Sequence, residues 1–375
     1  MNTHDYQMCT RCVMDTTDPD IVFDTAGVCN HCHTYDDIFK KRVFSGPEGQ
    51  RKVDQIVERI KKTGRKKGYD CVIGLSGGVD SSYVAYKVKG MGLRPLAVHL
   101  DNGWDSELAV KNVENVVKKL NIDLYTHVID WEEFRDLQLA FLKASTPDSE
   151  IPSDHAIISI LYQTAQRIGV SYIISGYNVR TESHLPRAWS QGYADWTYIK
   201  SIHRRYGRLP LKTFPHINEL SYFRYRLTLD FIDILNYLDY VKKEAKSILT
   251  SDLCWKDYGS KHHESIYTRF YQGYILLRKF GYDKRRAHFS SLICSGELTR
   301  REALEQLQKS SYSPEMLRAD REYVIKKFGL TEEGFEEILN LPKKTITDYP
   351  SSQKLFSIAG MIFRYYKYEI REKRL

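Results

Sequence analysis

The sequence predicts an α/β protein whose parallel sheet carries helices on both faces, with a four-cysteine zinc knuckle before it and a helical region after it. Three observations predict this architecture. Short apolar runs alternate with helical patterns between residues 70 and 178, two Cys-x-x-Cys pairs lie near the start, and a helical pattern continues from about residue 228. We assign the knuckle to residues 1–47, the α/β domain to 48–227 with an irregular insert at 181–226, and the helical domain to 228–375.

The cysteines of the first unit have the spacing of a zinc site. Each Cys-x-x-Cys pair presents two sulfur atoms from one tight turn, and two such turns complete a tetrahedron. Four protein ligands leave no open position, so we expect a structural Zn²⁺, although His31 or His33 could replace one cysteine. The predicted ligands are Cys9, Cys12, Cys29 and Cys32, and the isolated cysteines, expected to be buried bystanders, are Cys71, Cys254 and Cys294.

The α/β domain begins with a short basic helix within residues 48–64, and strands and helices then alternate. Strands are predicted within 70–76, 93–101, 124–130 and 171–178, and helices at 81–89, 106–121, 131–145 and 153–170. The last of these helices is expected to start at Ser153 or Asp154, with an inward face of Ile157, Ile160, Leu161, Thr164 and Ile168. Helices of the final region are predicted at 231–249, 262–280, 299–310, 313–329 and 331–341.

The first strand leads into the sequence Ser-Gly-Gly-Val-Asp-Ser-Ser, residues 76–82. It is neither a Walker A loop nor a GxGxxG fingerprint, but it has the properties of a phosphate-binding loop. Gly77 and Gly78 permit positive φ and close approach, and a helix N-terminus adds its positive end. The Asp80 carboxylate suits a bridging Mg²⁺. The alternative is a plain Gly-Gly turn with a serine cap, which the position after a buried strand disfavours.

This loop resembles the SGGxDS loop of the PP-loop superfamily, the N-type ATP pyrophosphatases, whose sheet is of the HUP-like kind. The resemblance implies that ATP is cleaved between its α and β phosphates and that AMP is placed on a substrate oxygen. It also implies that the ends of two later strands border the nucleotide. The nucleotide-binding residues implied are Gly74, Ser76, Gly77, Gly78, Asp80, Ser81, Ser82, His99, Asp101, Asn102, Ser175, Gly176 and Tyr177.

A second group of polar residues lies near a Gly-Ser step at 259–260 in the C-terminal region. Two lysines could meet the negative charge of a leaving pyrophosphate, and the histidines and the glutamate could transfer protons. A solvated helix start is the simpler interpretation, and it explains the glutamate better than the lysines and the adjacent histidines. The candidates are Lys256, Lys261, His262, His263 and Glu264.

The knuckle, the loop and the block at 255–293 together resemble the N-acetyl sugar amidotransferase family of bacterial surface-polysaccharide pathways. The resemblance implies conversion of an acetamido group on a UDP- or CMP-linked sugar into an acetamidino group, within O-antigen or lipopolysaccharide biosynthesis. It also implies that ammonia comes from partner proteins resembling a glutaminase and a cyclase. Arginines of the insert, or ordinary surface charge, are the candidates for the sugar-nucleotide diphosphate: Arg180, Arg187, Arg204, Arg205 and Arg208.

Charge and composition limit the remaining possibilities. A net charge of +8 fits an anionic ligand and does not require nucleic acid. No apolar run approaches the roughly 20 residues of a membrane span, and no export signal is visible, so we expect a cytoplasmic protein without a membrane partner. The first alternative function is tRNA thiolation, although the three later cysteines are each isolated. The second is a zinc-knuckle nucleic-acid-binding protein, which the intact loop disfavours.

Overall fold

The computed structural model describes residues 6–64, 68–259 and 264–365. Its sheet has five parallel strands in the order β3-β2-β1-β4-β5, which confirms the predicted fold class. The strands are β1 Cys71–Gly74, β2 Pro95–Asp101, β3 Asp123–Val128, β4 Tyr172–Ser175 and β5 Asp230–Asp233.

Seventeen α-helices surround or follow the sheet in the described part of the chain. The first nine are α1 Asn30–Arg42, α2 Gly46–Gly64, α3 Val79–Gly90, α4 Glu107–Leu120, α5 Trp131–Ala144, α6 Ile151–Arg167, α7 Val179–Glu182, α8 Trp196–Tyr206 and α9 Glu219–Thr228. The others are α10 Lys242–Leu253, α11 Ile266–Phe270, α12 Leu276–Phe280, α13 Lys284–Ser295, α14 Arg300–Gln308, α15 Pro314–Phe328, α16 Glu332–Asn340 and α17 Gln353–Tyr365. A π-helical turn, Tyr271–Ile275, joins α11 to α12, and two short 3₁₀ turns are Ile234–Tyr237 and Ile346–Asp348.

The two faces of the sheet bury separate apolar cores, because successive strand side chains point to opposite sides. In β1, Cys71 and Ile73 pack into one core together with residues of α2, α3, α4 and α10. Val72 points the other way, into a core shared with α5, α6 and α8 and with the C-terminal helices. Parallel strands covered on both faces are expected to be apolar throughout, and β1 and most of β2 are buried.

Four sequence predictions are wrong in detail. The insert at 181–226 is not irregular, since it contains α8 and most of α9. The helix predicted over 231–249 begins as strand β5, which pairs with β4 beyond residue 227, where the predicted α/β domain ends. Helix α6 begins at Ile151 because Pro152 is well tolerated in a first turn, so neither Ser153 nor Asp154 is its cap. Ile157 does not face inward but is 41% exposed.

The N-terminal knuckle packs against the C-terminal helices. The Arg300 side chain donates to the carbonyl oxygens of Cys12 and Cys9, at 2.9 and 3.0 Å. Arg286 reaches the carbonyl oxygen of Val13 at 2.9 Å and forms an ion pair with Asp15 at 3.0 Å. The knuckle is therefore held against α13 and α14. Within the described residues, every helix is too short or too polar to cross a lipid bilayer.

Candidate active-site cleft

The first strand leads into helix α3 through the loop of residues 76–78. The helix begins at Val79 with Gly78 as N-cap, slightly before the start predicted near Ser81. The hydroxyl of Ser81 donates to the carbonyl oxygen of Gly78 at 3.2 Å and accepts from the N–H of Ser76 at 3.3 Å. The N–H of Gly78 donates to Oγ of Ser76, also at 3.3 Å. These amides lie at the positive end of a helix and make only long internal bonds, so phosphate oxygens can compete for them.

Two glycines allow backbone segments to meet at this loop. Gly77 has a φ of +81°, and a Cβ there would lie 2.6 Å from the carbonyl oxygen of Ala109. A Cβ on Gly176 would lie 3.1 Å from the backbone N of Ser81. The loop therefore lies directly against the backbone of α4, and the residue after β4 lies directly against the first turn of α3.

Asp80 lies in the first turn of α3 and borders a smaller cavity of about 230 Å³. The hydroxyl of Tyr240 donates to its carboxylate. Burial, followed by the charges of Asp80, Glu297 and Glu182, raises the pKa of Tyr240, so the phenol remains a donor. Glu264 borders the same cavity. Two carboxylates beside a phosphate-binding loop form the oxygen donor set that Mg²⁺ prefers.

Two residues of the C-terminal region, Trp255 and Glu264, contact the loop and the start of α4. The indole N–H of Trp255 donates to the carbonyl oxygen of Gly77 at 2.8 Å, and the backbone of Glu264 accepts from Ser106 at 2.8 Å. Lys256, by contrast, is exposed and lines neither cavity, although its backbone pairs with the Asn112 side chain. The candidates Lys261, His262 and His263 lie outside the described residues.

The end of β2 contributes residues with different roles. His99 is buried, its Nδ1 lies 2.8 Å from the carbonyl oxygen of Leu75, and its Nε2 lies 3.1 Å from the carboxylate of Asp105. Burial lowers the pKa of His99, but the hydrogen bond and charge of Asp105 outweigh burial and raise it. Asp101 accepts from the N–H of Gly103 and does not line the cleft, whereas the Asn102 side chain lines it and donates to Ser153.

The end of β4 contributes the opposite border. Ser175, Gly176 and Tyr177 all line the cleft, and the Ser175 hydroxyl accepts from the N–H of Tyr177 at 2.9 Å. Ser82 does not reach the cleft. Its side chain is fully buried, and its hydroxyl has no hydrogen-bond partner among the described residues. Of the predicted loop residues, Gly74, Ser76 and Ser81 line the main cleft, Gly78 and Asp80 border the smaller cavity, and Gly77 lies beneath.

These elements enclose a cleft of about 1370 Å³ that extends from the loop to the C-terminal helices. We call the side formed by Gly74, Ser76, Ser81 and Gly176 the loop wall. The π-helical turn contributes Gln272 and Gly273 to another side, and π-helical turns are frequent at functional sites.

Another side, which we call the acidic wall, consists of Glu150 and Asp154 with Lys284 and Gln272. The ammonium of Lys284 lies 3.3 Å from the carboxylate of Glu150, and the Gln272 amide donates to the same oxygen at 2.8 Å. Asp154 faces the cleft. Although its side chain is exposed to the cleft, enclosure by the cleft walls, and then the charges of Asp148 and Glu150, raise the pKa of Asp154 to about 8. Burial lowers the pKa of Lys284, but these carboxylates outweigh burial and raise it.

Three lysines that the sequence analysis missed lie on α10 beside the loop. Lys242 and Lys246 border both cavities, and Lys243 lines the larger one. A sequence signal existed, because two lysines in the first turn of a helix oppose its dipole and are expected only where an anion compensates them. None of the five predicted arginines lines the cleft, which instead receives Arg269, Arg285 and Lys309 from the C-terminal helices.

The four predicted metal ligands come together in the knuckle. Their sulfur atoms are fully buried, with separations of 3.9 Å for Cys9–Cys32, 3.7 Å for Cys12–Cys29 and 3.7 Å for Cys29–Cys32. Tetrahedral zinc with Zn–S bonds of about 2.3 Å requires separations of about 3.8 Å, so the thiols fit the ion. Cys294 is not an isolated bystander, because its sulfur lies 3.8 Å from that of Cys32. Cys254 is exposed, and only Cys71 is a buried bystander as predicted.

Two family models match the chain on either side of the cleft. Residues 49–150 match the model described as NAD synthase, and residues 264–362 match the model described as LPS biosynthesis protein WbpG-like, C-terminal domain. The first match contains the phosphate-binding loop, and the second begins at Glu264 and includes the π-helical turn and α13. Together they confirm the resemblance, drawn from the sequence, to PP-loop proteins and to proteins of surface-polysaccharide biosynthesis.

Each of two curated relatives matches less than half of the chain. The tRNA-specific 2-thiouridylase MnmA 2 of Fusobacterium nucleatum is 25% identical over 186 residues, which are 47% of this chain and 49% of that protein. The tRNA-specific 2-thiouridylase MnmA of Mesomycoplasma hyopneumoniae is 31% identical over 156 residues, 34% of this chain and 41% of the relative. The chain therefore spans less than half the length of these relatives.

Two solved structures have partial likeness. The NMN synthetase of Francisella tularensis is 16% identical with a TM-score of 0.37, covering 76% of this chain and 95% of that one. The NH₃-dependent NAD synthetase of Campylobacter jejuni is 14% identical with a TM-score of 0.32, covering 76% and 98%.

Proposed function

Since the chain joins an NAD synthase-like PP-loop domain to a WbpG-like C-terminal domain, we propose that it is an ATP-dependent amidotransferase of surface-glycan biosynthesis. Its substrate is a UDP- or CMP-linked sugar with an N-acetyl group, which becomes an acetamidino group. The observation that carries this proposal is the shared cleft. Residues of the phosphate-binding loop and residues of the WbpG-like region line one continuous space of about 1370 Å³.

The loop wall performs the activation step. An unactivated amide is a poor electrophile, so its oxygen must first acquire a good leaving group. The amide oxygen attacks the α phosphorus of ATP, the bond from that phosphorus to pyrophosphate breaks, and an O-adenylated imidate forms. The loop amides and the helix N-terminus hold the departing phosphates, and the lysines of α10 neutralise charge that grows on them.

The carboxylates near the loop are placed to coordinate a divalent cation. Asp80 and Glu264 border the cavity beside the loop and are the residues that would hold Mg²⁺. When bound, the ion neutralises phosphate charge. Tyr240 fixes the orientation of the Asp80 carboxylate through its hydroxyl. His99, which bridges Leu75 and Asp105, positions the strand end without offering a free nitrogen to the nucleotide.

The acidic wall performs the nitrogen-transfer step. Ammonia adds to the imidate carbon, the added nitrogen loses a proton, and the carbon–oxygen bond breaks to release AMP with the former amide oxygen. Asp154 is the group that accepts this proton, because its raised pKa, about 8, matches a general base near neutral pH. Glu150 and Lys284 form the ion pair that lies beside it. We assign the supply of ammonia to separate glutaminase- and cyclase-like partners.

The test follows the oxygen atom. Purified protein is incubated with MgATP, an ammonium salt and a nucleotide sugar labelled with ¹⁸O in its acetyl carbonyl. We expect AMP and pyrophosphate in equal amounts, with the label in AMP and an NH group in place of oxygen on the sugar. Release of ADP and phosphate, or label that stays on the sugar, would contradict the mechanism. A screen of UDP- and CMP-linked sugars then identifies the carrier.

The alternative is tRNA thiolation, which the similarity to the curated relatives favours. Thiolation uses a cysteine near the activated base, and none of the seven cysteines lines either cavity. Cys71 is buried in β1, Cys254 is exposed outside the cleft, and the other five belong to the knuckle cluster. Salt-dependent tRNA binding, with AMP release stimulated by tRNA rather than by the sugar, would favour this alternative.

A further inference from the structure

A second group of metal ligands adjoins the zinc knuckle. Sγ of Cys294, on α13, lies 3.8 Å from Sγ of Cys32 and 3.7 Å from Nε2 of His184. The three ligand atoms lie within 4.8 Å of one another. Cys32 and His184 are fully buried, and Cys294 is half-buried. These residues come from three distant parts of the chain, so the group exists only in the folded protein.

The hydrogen bonds of His184 point its lone pair at this group. The hydroxyl of Ser291 donates to the carbonyl oxygen of Ala287 at 3.2 Å, so its oxygen is left to accept from Nδ1 of His184, 3.1 Å away. Nδ1 therefore carries the proton, and Nε2 presents its lone pair toward Cys294. A histidine whose second nitrogen is held by a hydrogen bond in this way is the usual arrangement of a metal ligand.

We propose that Cys32, His184 and Cys294 bind a second Zn²⁺, with the Cys32 thiolate bridging it to the zinc of the knuckle. Bond lengths of about 2.3 Å to sulfur and about 2.0 Å to nitrogen require separations of about 3.8 Å between sulfurs and about 3.5 Å between sulfur and nitrogen. The separations from Sγ of Cys294 to Sγ of Cys32, 3.8 Å, and to Nε2 of His184, 3.7 Å, are close to these values, and the third pair of atoms lies within 4.8 Å. Two thiolates and one imidazole are a donor set that selects zinc among common divalent ions.

Two neighbouring side chains support an ion at this position. The ring of Tyr35 packs against His184 with centroids 5.4 Å apart, and its buried hydroxyl has no hydrogen-bond partner among the described residues. A buried unpartnered hydroxyl is uncommon and is accounted for by an ion or by a water bound to it. Arg11 lies near enough for its positive charge to act on Cys32 and Cys294.

The second ion would join three elements that shape the cleft. Cys32 belongs to α1, His184 follows α7, and Cys294 belongs to α13. Glu182 of α7 and Lys284 of α13 both line the cleft. A metal bond between these elements fixes their spacing more firmly than side-chain packing does, so the ion has a structural role in the substrate pocket.

The experiment counts metal ions in the full chain. Protein purified without chelators and dialysed against trace Zn²⁺ is analysed by inductively coupled plasma mass spectrometry. We expect two zinc ions per wild-type chain and one in Cys294→Ser or His184→Asn. The matched control is Cys254→Ser, an exposed thiol outside the cluster, which keeps two ions. One zinc in the wild type, unchanged in Cys294→Ser, overturns the proposal and assigns Cys294 a hydrogen bond to His184 instead.

A second measurement needs no variant, so it remains informative if the variants do not fold. The wild-type chain is produced with Co²⁺ in place of Zn²⁺. We expect two cobalt ions whose spins couple through the shared Cys32 thiolate, so that the electron paramagnetic resonance signal per cobalt is much weaker than that of a mononuclear site. A full signal from a single cobalt ion per chain would refute the bridged site. Neither outcome depends on catalysis, so the result stands apart from the proposed function.

Discussion

The loop wall and the acidic wall of the cleft are built in opposite ways. The loop wall takes most of its atoms from consecutive residues, 74–81, and its geometry comes from glycine backbone and a helix start. The acidic wall takes its residues from far apart: Lys284 contacts Glu150 across 134 residues of sequence, and Gln272 does so across 122. A site built from consecutive residues can be identified in the sequence. A cluster of charged residues that only the fold brings together cannot.

The difference also concerns the ligand atoms that each wall can handle. Backbone amides and lysines meet fixed negative charge, as phosphate requires. A carboxylate such as Asp154, whose pKa is raised by its enclosure and by neighbouring carboxylates, exchanges protons, as nitrogen addition requires. The comparison is therefore testable by variants that damage one wall and leave the other intact.

The largest effect is expected from Gly77→Ala in the loop wall. The new Cβ would lie 2.6 Å from a backbone oxygen of Ala109, so the loop must shift and its amides lose their alignment. We expect AMP formation to fall by about a thousandfold, comparable to removing preorganised donors from an anion site. The assay is sugar-dependent AMP release under saturating ATP.

The matched control is Gly169→Ala. Gly169 also has a positive φ, +72°, but a Cβ there has no neighbour within 4 Å. In both variants, alanine at a positive φ costs about 1 kcal/mol of backbone strain. Only Gly77→Ala adds the steric clash with the backbone oxygen of Ala109. Equal losses of activity in the two variants would show that strain alone is responsible and would remove the loop wall from the mechanism.

Asp154→Asn tests the acidic wall. We expect a loss of roughly a hundredfold in sugar-dependent AMP release, the usual range for a general base. Wild-type activity should rise with pH and level off above about 8, where Asp154 is deprotonated, and this rise should be absent in the variant. Glu132→Gln, an exposed carboxylate on α5, is the control and should leave the profile unchanged. A pH profile that survives in Asp154→Asn would exclude this residue as the base.

The same variant is expected to stabilise the protein. The pKa of Asp154 is raised from 3.8 to about 8 in the fold, so the folded chain binds an extra proton between these values. Stability from this residue is thus complete at low pH and is lost as pH rises through that window. Asparagine cannot ionise, so the variant does not lose this stability as the pH rises. The melting temperature of Asp154→Asn at pH 8 should therefore exceed that of the wild type. Lower activity with higher stability is the pattern of a functional residue.

The features that the sequence predicts are those built from residues close together in the chain. The order of strands and helices, the four knuckle thiols and the loop were all predictable, because each depends on periodicity or on close spacing. Strand β5 was not, since Asp230–Asp233 is only four residues long and precedes a 3₁₀ turn that continues a helix-like apolar pattern. Only pairing with β4 makes this segment a strand.

The missing parts of the site have the same origin. Cys294 was predicted to be isolated because 262 residues separate it from Cys32, and only the packing of α13 on the knuckle brings the two sulfurs together. Lys256 was a candidate because it lies near other polar residues in the sequence, yet the fold leaves it exposed.

A moderate effect is expected from Lys246→Ala, which tests whether a lysine beside the loop wall contributes to ATP binding. Lys246 borders both cavities, and its ammonium is held 2.7 Å from the carboxylate of Asp257. Loss of one cation that faces phosphate should raise KM for ATP about tenfold. Lys256→Ala, the matched control in the neighbouring segment, should leave KM unchanged. The reverse ranking of the two variants would restore the earlier assignment of Lys256.

The smallest effect is expected from Ser82→Ala, which defines where the loop wall ends. The Ser82 hydroxyl is buried without a hydrogen-bond partner among the described residues, so replacing it with a methyl-sized side chain removes a polar group that gains nothing from folding. We expect unchanged KM for ATP and a free energy of unfolding raised by about 1 kcal/mol. Ser81→Ala is the contrast, because its hydroxyl bonds Ser76 and Gly78, and it should weaken ATP binding. If Ser82→Ala weakened ATP binding as much, the hydroxyl would have to turn toward the nucleotide when it binds, and the loop would rearrange rather than stand preformed.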